Sequence, residues 1–244
     1  MEQTSSISQP QVGKRECVLF VTGFGKFQKV SENPTTHLSR AIPSLLEQNQ
    51  IENLTLNSTQ VVTVSIEDCN EALKQIYEEI NKMQLKDQFR DHCDRRHYIV
   101  IHFGVYQGSG KFNVEVQGKN IKDFRIPDEN GNTPLNECIN GSLDIKHCIQ
   151  TTINVDSIVE KLQQQGHNVQ KSFSAGEYIC NYTYYCSLQN KNEKVVDSSL
   201  VDTLFCHVPT FAEIDEPSQQ RFVVDLIAEV CKDCQSRSCI EKIE

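Results

Sequence analysis

No run of about 18 apolar residues occurs in the 244-residue chain, so the sequence offers no helix able to span a membrane. A basic surplus is missing as well. There are 24 Lys and Arg against 33 Asp and Glu, a formal net charge of -9 and a pI near 5.3. Such a surface does not neutralise phosphate backbones or anionic lipid, so neither nucleic acid nor membrane is expected as a partner. Residues 1–15 lack the apolar centre of a secretory signal, and a soluble, cytoplasmic protein is expected. The sequons at Asn53, Asn57, Asn140 and Asn181 then carry no meaning, because they need a secretory route.

Two further absences narrow the chemistry. Gly23 and Gly25 follow the first apolar run in Thr22-Gly23-Phe24-Gly25-Lys26-Phe27. The spaced third glycine of a dinucleotide fingerprint is lacking, and so is the Gly-Lys-Ser/Thr ending of a phosphate loop. Two phenylalanines beside flexible glycines suit a flat, mostly apolar ligand group better. The 11 cysteines are scattered and odd in number, which in a reducing compartment means thiols. Cys231 and Cys234, with Cys239 nearby, invite a metal reading, yet no second pair of suitable spacing accompanies them. A helix end with spare thiols is expected there, and no metal.

What is present is an alternation. Short β-branched or aromatic runs lie at 16–21, 60–66, 98–103, 169–173 and 203–208, and several are almost continuously apolar, as buried central strands are. Between them, 35–48, 69–91, 155–165, 177–190 and 217–234 have helical spacing. In the second of these, Ala72, Leu73, Ile76, Ile80 and Met83 recur at three and four positions, as on one buried face. Strand and helix in turn predict an α/β fold with a largely parallel sheet covered on both sides. The polar, glycine-bearing stretch 104–150 breaks the alternation and is too long for an ordinary connection, so one wall of a functional site is placed there. One domain over 16–234 is expected, between an N-terminal extension, 1–15, and a C-terminal tail, 235–244, both poorly ordered.

Among the thiols, Cys180 has the most telling surroundings. A strand ends at Phe173, Ser174-Ala175-Gly176 follow, and a helical stretch opens with Glu177-Tyr178-Ile179-Cys180. The unpaired N–H groups and positive dipole end of a first helical turn favour thiolate and can receive an oxyanion. The competing reading is a buried small apolar side chain. His207 ends an apolar strand in Leu204-Phe205-Cys206-His207-Val208-Pro209, at the sheet edge where ligands gather, and a Cys/His pair is the minimum for acyl transfer. His102, in Ile101-His102-Phe103-Gly104, has the same context, and spacing does not separate the two. Glu115 lies in a segment where polar and apolar residues alternate; it is either an exposed strand charge or the group that orients the imidazole.

These pieces stand in one order: GFGKF and Asn33-Pro34-Thr35, IHFG followed by Glu115, RIPDENGN, SAGEYICNYTYY, and FCHVP. In that order, over about 16–230, the chain resembles the pyroglutamyl peptidase I family of cysteine peptidases, which remove an N-terminal pyroglutamyl residue. The resemblance implies a single α/β/α sandwich around a twisted mixed sheet. It implies Cys180 as nucleophile, His207 as base and Glu115 as the acidic third member, and demotes His102 to a structural role. It points to Phe24 and Phe27 as walls of the substrate pocket, Asn33 as support of their loop, and the backbone of 104–106 and Ile126 as lactam partners. Arg125 matches an arginine that assists the oxyanion. No cofactor is implied, the partners are pyroglutamyl peptides, and the assembly is a monomer or homotetramer. Lys26 departs from the proline usual in GFGPF, which removes a fixed φ from the loop. A non-catalytic homologue that binds blocked peptides, and a thiol-rich redox or metal-binding protein, are the alternatives.

Overall fold

The computed structural model describes residues 15–27, 33–91, 94–108 and 110–237. Five helices and four of the five strands fall where the alternation predicts them. β1 (Cys17–Phe24) leads to α1 (Pro34–Asn49), β2 (Leu54–Val62), α2 (Ile66–Asp87) and β3 (His97–Val105). After the atypical stretch come α3 (Val155–Gln164), β7 (Val169–Ser172), α4 (Ile179–Glu193), β8 (Val201–Val208) and α5 (Glu216–Arg237). The stretch itself contributes β4 (Phe112–Glu115), β5 (Gln117–Lys119) and β6 (Cys148–Gln150).

Six strands form one sheet in the order β2-β1-β3-β8-β4-β7, and β5 pairs with β6 apart from it. All neighbours in the main sheet run parallel except β4 and β8, which are antiparallel. The largely parallel mixed sheet is therefore as expected. Its central strands β1, β3 and β8 are buried along almost their whole length because both faces are covered. Cys17, Leu19 and Val21 of β1 join Leu38 and Ile42 of α1, Ile158 of α3 and Phe222 of α5 in one core. Val18 and Phe20 point the other way, into a core with Leu73, Ile76 and Ile80 of α2. A third cluster joins Tyr182, Tyr184 and Leu188 of α4 to Phe205 of β8. The result is a three-layer α/β/α sandwich.

The differences have local causes. The second strand, predicted over 60–66, runs instead from Leu54 to Val62. It is an edge strand whose residues alternate between half-buried and exposed, so its polar members do not mark it as a loop, and Ser65 already caps α2. The boundary placed at 234 falls inside a helix: α5 continues to Arg237. Arg15 is likewise buried rather than loose. The remainder of the two expected tails, 1–14 and 238–244 with Cys239, lies outside the described residues. No helix among the described residues is long and apolar enough to cross a membrane.

Candidate active site

The site is assembled on one face of the sheet by strand alternation. In the parallel β3/β8 register Gly104 lies beside His207, and in the antiparallel β4/β8 register Glu115 lies beside Phe205. Glu115 and His207 are then diagonal neighbours on the same face, within reach of a long side chain. Their side chains meet: His207 Nδ1 donates to Glu115 Oε1 at 2.9 Å. Glu115 is 1 % exposed, which corrects the pattern-based reading of an exposed charge; β4 is covered because β7 and β8 flank it on both sides. Glu115 Oε2 has no hydrogen-bond partner among the described residues, and its backbone carbonyl accepts from the Tyr184 hydroxyl at 2.9 Å.

Cys180 stands in the first turn of α4, above this face. Gly104 forms its floor, since a Cβ at that position would lie 2.8 Å from the Cys180 Sγ and 2.8 Å from Phe205. Only glycine leaves the thiol that place. Burial alone would drive the His207 imidazole toward its neutral form. The charge and hydrogen bond of Cys180, followed by those of Glu115, outweigh burial and push the His207 pKa up to about 9. The Tyr106 ring meets the imidazole edge-on with centroids 5.9 Å apart.

α4 starts without a side-chain cap, although α1, α2 and α3 are capped by Asn33, Ser65 and Asn154. The first N–H groups of α4 thus face no capping oxygen and are open to an incoming one. Its start is held from outside. Asn181 Oδ1 accepts from Lys119 N at 2.9 Å, and Asn181 Nδ2 donates to the carbonyls of Lys119 and Ile121 at 2.9 and 2.8 Å.

The expected pocket residues gather nearby. Phe24, Phe27, Phe124, Tyr178 and the Cys180 side chain share one apolar cluster. Tyr178 packs 4.7 Å from Phe124 and 6.4 Å from Phe27, ring centre to ring centre. Asn33 braces the Gly23–Gly25 turn by donating to the Gly25 carbonyl at 2.9 Å while accepting from Thr35 N at 3.1 Å. Lys26 is exposed. Arg125 and Ile126 line an adjoining cleft of about 500 Å³ with Tyr106, Asp123, Gly176 and Tyr178. Within the expected backbone stretch 104–106, the Tyr106 N–H donates to the Val208 carbonyl at 2.9 Å and is spent on the sheet.

His102 is separated from His207 by what covers it. Its ring is bonded on both sides, to Thr22 Oγ1 at 2.7 Å and Ser187 Oγ at 2.8 Å, and burial pulls its pKa down to about 3. It is a neutral, satisfied core histidine. The rings of Tyr178 and Tyr106 and the Asn181 clamp were not singled out from sequence as parts of the site; Tyr106 was named for its backbone alone. The block Glu177-Tyr178-Ile179-Cys180-Asn181 contained two of them, but nothing in their spacing assigns a contact.

The model of the pyroglutamyl peptidase family matches residues 17–221. The chain belongs to this family. Its members are enzymes, pyrrolidone-carboxylate peptidases by their other name. That of Thermococcus litoralis is 28% identical over 191 residues, covering 78% of this chain and 76% of the relative. That of a Bacillus cereus strain is 25% identical over 198 residues, covering 80% and 79%. Among solved structures, the pyrrolidone carboxyl peptidase of Fervidobacterium islandicum superposes with a TM-score of 0.73 at 21% identity, covering 89% of this chain and 99% of that one. The Thermococcus litoralis enzyme gives 0.69 at 24% identity, with coverage of 93% and 96%. These likenesses establish the fold.

Proposed function

We propose that this family member hydrolyses the bond after an N-terminal pyroglutamyl residue, with Cys180 as nucleophile, His207 as acid–base and Glu115 orienting the imidazole. The observation that carries the reading is the juxtaposition itself: a thiol at an uncapped helix start, on a glycine floor, beside a buried imidazole already bonded to a carboxylate. The Cys180 proton resides on His207 in the ion-pair form. The thiolate attacks the pyroglutamyl carbonyl carbon, and the N–H groups at the start of α4 bind the oxyanion. Collapse of the tetrahedral species breaks the C–N bond as His207 hands its proton to the departing amine. His207 then takes a proton from water, whose hydroxide attacks the thioester and releases pyroglutamate and the thiol.

Specificity follows from polarity. Phe24, Phe27, Phe124 and Tyr178 offer apolar walls to a flat lactam ring, with Ile126 at the mouth. An ordinary N-terminus would bring an ammonium into those walls without a partner and is refused. Arg125, on the cleft wall, is assigned to the approach of the peptide and oxyanion. All nine described cysteines are free thiols, which supports a reducing, cytoplasmic location.

The test is hydrolysis of pyroglutamyl-aminomethylcoumarin against prolyl and alanyl analogues, with and without iodoacetamide. Selective, thiol-dependent release from the first substrate is expected, and its loss in a folded Cys180→Ala variant. Undiminished turnover in that variant would remove Cys180 from the mechanism.

A further inference from the structure

The strand starts, at the opposite end of the sheet from the thiol, carry a second concave site. β3 opens on His97 and β8 has Asp202 near its beginning, whereas Gly104 and His207 lie toward the other ends of the same strands. A cavity of about 250 Å³ lies there, lined by Arg15, Lys191 and Arg237 and by the hydroxyl residues Thr152, Ser198 and Ser199. No acidic residue is among the described residues that line it. In a chain of net charge -9, such a gathering of cations is a local feature.

The carboxylates beneath do not exhaust the Lys191 ammonium. Asp202, 1 % exposed, accepts from His97 Nε2 at 2.7 Å, from Arg237 and from Thr152 Oγ1. Burial works against its charge, but His97 and Arg237 outweigh burial and hold its carboxyl well below the usual range. Asp233 lies 3.2 Å from Arg237 Nε. Lys191 is the least compensated: its side chain is 7 % exposed, it donates to Thr152 Oγ1 at 2.7 Å, and the nearest carboxylate oxygen is 4.0 Å away. An ammonium has three donors, and burial lowers the pKa of this one. His97 also lines the cavity, 3 % exposed, with Nδ1 lacking a hydrogen-bond partner among the described residues.

His97, Asp202 and Cys234 have ligand atoms within 4.8 Å of one another, which raises a metal as the competing occupant. Arg237 is already bonded to that carboxylate and Lys191 stands beside it, and both repel a dication. Cations and hydroxyls arranged on several sides suit an occupant with several acceptor oxygens and negative charge. The volume falls below the roughly 300–1,000 Å³ of drug-sized ligand pockets, so the occupant is small or enters by one end.

We propose that this cavity binds the phosphate group of a small molecule. The proposal does not depend on the hydrolytic reading. It is tested by calorimetric titration of the full chain with inorganic phosphate in a chloride buffer of matched ionic strength, with phenyl phosphate and acetate as further arms. One saturable phosphate site per chain is expected, accompanied by a rise in Tm. Tighter binding of phenyl phosphate identifies the terminal phosphate of a larger molecule as occupant, and equal binding identifies the free ion. Lys191→Met removes the ammonium and keeps its apolar stem; Ser198→Glu places a carboxylate at the exposed mouth. Each is expected to weaken phosphate binding about tenfold or more, as loss of a charge-assisted hydrogen bond does. Neither residue belongs to the proposed catalytic set, so retained hydrolysis of the pyroglutamyl amide reports correct folding. Absence of saturable phosphate binding, acetate binding as tightly as phosphate, or unchanged affinity in both variants overturns the proposal. So does stoichiometric zinc that is lost in Cys234→Ser and is accompanied by no phosphate binding.

Discussion

Glu115 and Gly104 do their work through their neighbours. The carboxylate of Glu115 is one of the groups that hold His207 protonated up to about pH 9. In the proposed mechanism protonated His207 is the acid that the departing amine requires, so kcat/KM is expected to fall as pH rises through about 9. Glu115→Gln removes a negative charge from the imidazolium but still offers an oxygen to Nδ1. The alkaline limb of the profile should therefore move to lower pH, with kcat reduced; an unmoved limb would leave Glu115 with a structural role alone. Gly104→Ala forces a methyl group against Sγ and Phe205. Displacement of the proposed nucleophile predicts a loss on the order of 100-fold in kcat, while overpacking costs about 1–3 kcal/mol of stability. Kinetics and urea unfolding of the same preparation separate the two effects.

At the scale of elements, α4 is a mostly buried helix rich in polar residues, several of which have a defined partner. Asn181 ties its first turn to residues 119–121, Ser187 bonds His102 and Tyr77, and Lys191 reaches Thr152. Asn181→Ala removes three hydrogen bonds at about 1 kcal/mol each, for a destabilisation on the order of 3 kcal/mol readable as a lower urea midpoint. Asn181→Asp should cost at least as much, because it sets a buried carboxylate against the Lys119 and Ile121 carbonyl oxygens. The sequence marked α4 and its thiol because glycine, strand end and helical spacing are local signals. Ala72, Leu73, Ile76 and Ile80 likewise proved to be the buried face of α2. Spacing did not separate His102 from His207, which only the family resemblance did, because the deciding partners, Ser187 and Glu115, are 85 and 92 residues away. The burial of Glu115 was hidden for the same reason: β4 is four residues long, and only its pairing with β7 and β8 encloses it.

For the whole molecule, two histidines bound stability from opposite sides. His102 has a folded pKa near 3, far below its unfolded value of about 6.5, so the stability it secures is present above that value and is lost as pH falls. His207 is raised, so its contribution is complete below about 6.5 and is lost as pH rises toward about 9. Burial also pushes the Cys69 and Cys186 thiols up to about 12; their contribution is intact below about pH 8.5 and fades above it. Unfolding free energy is expected to peak near pH 6.5, and His102→Asn should flatten the acid side. Chemical denaturation at pH 5, 6.5 and 8.5 checks both limbs.

The open start of α4 has a bearing on how such a protein can change over generations. A side-chain cap is worth about 1 kcal/mol, and α1, α2 and α3 already have theirs. Selection for heat resistance has one untouched helix start left to improve. A capping oxygen at Tyr178 would occupy the N–H groups that the proposed oxyanion needs. On the proposed mechanism, adaptation to heat is thereby steered away from this position and toward loops, surface charge and assembly.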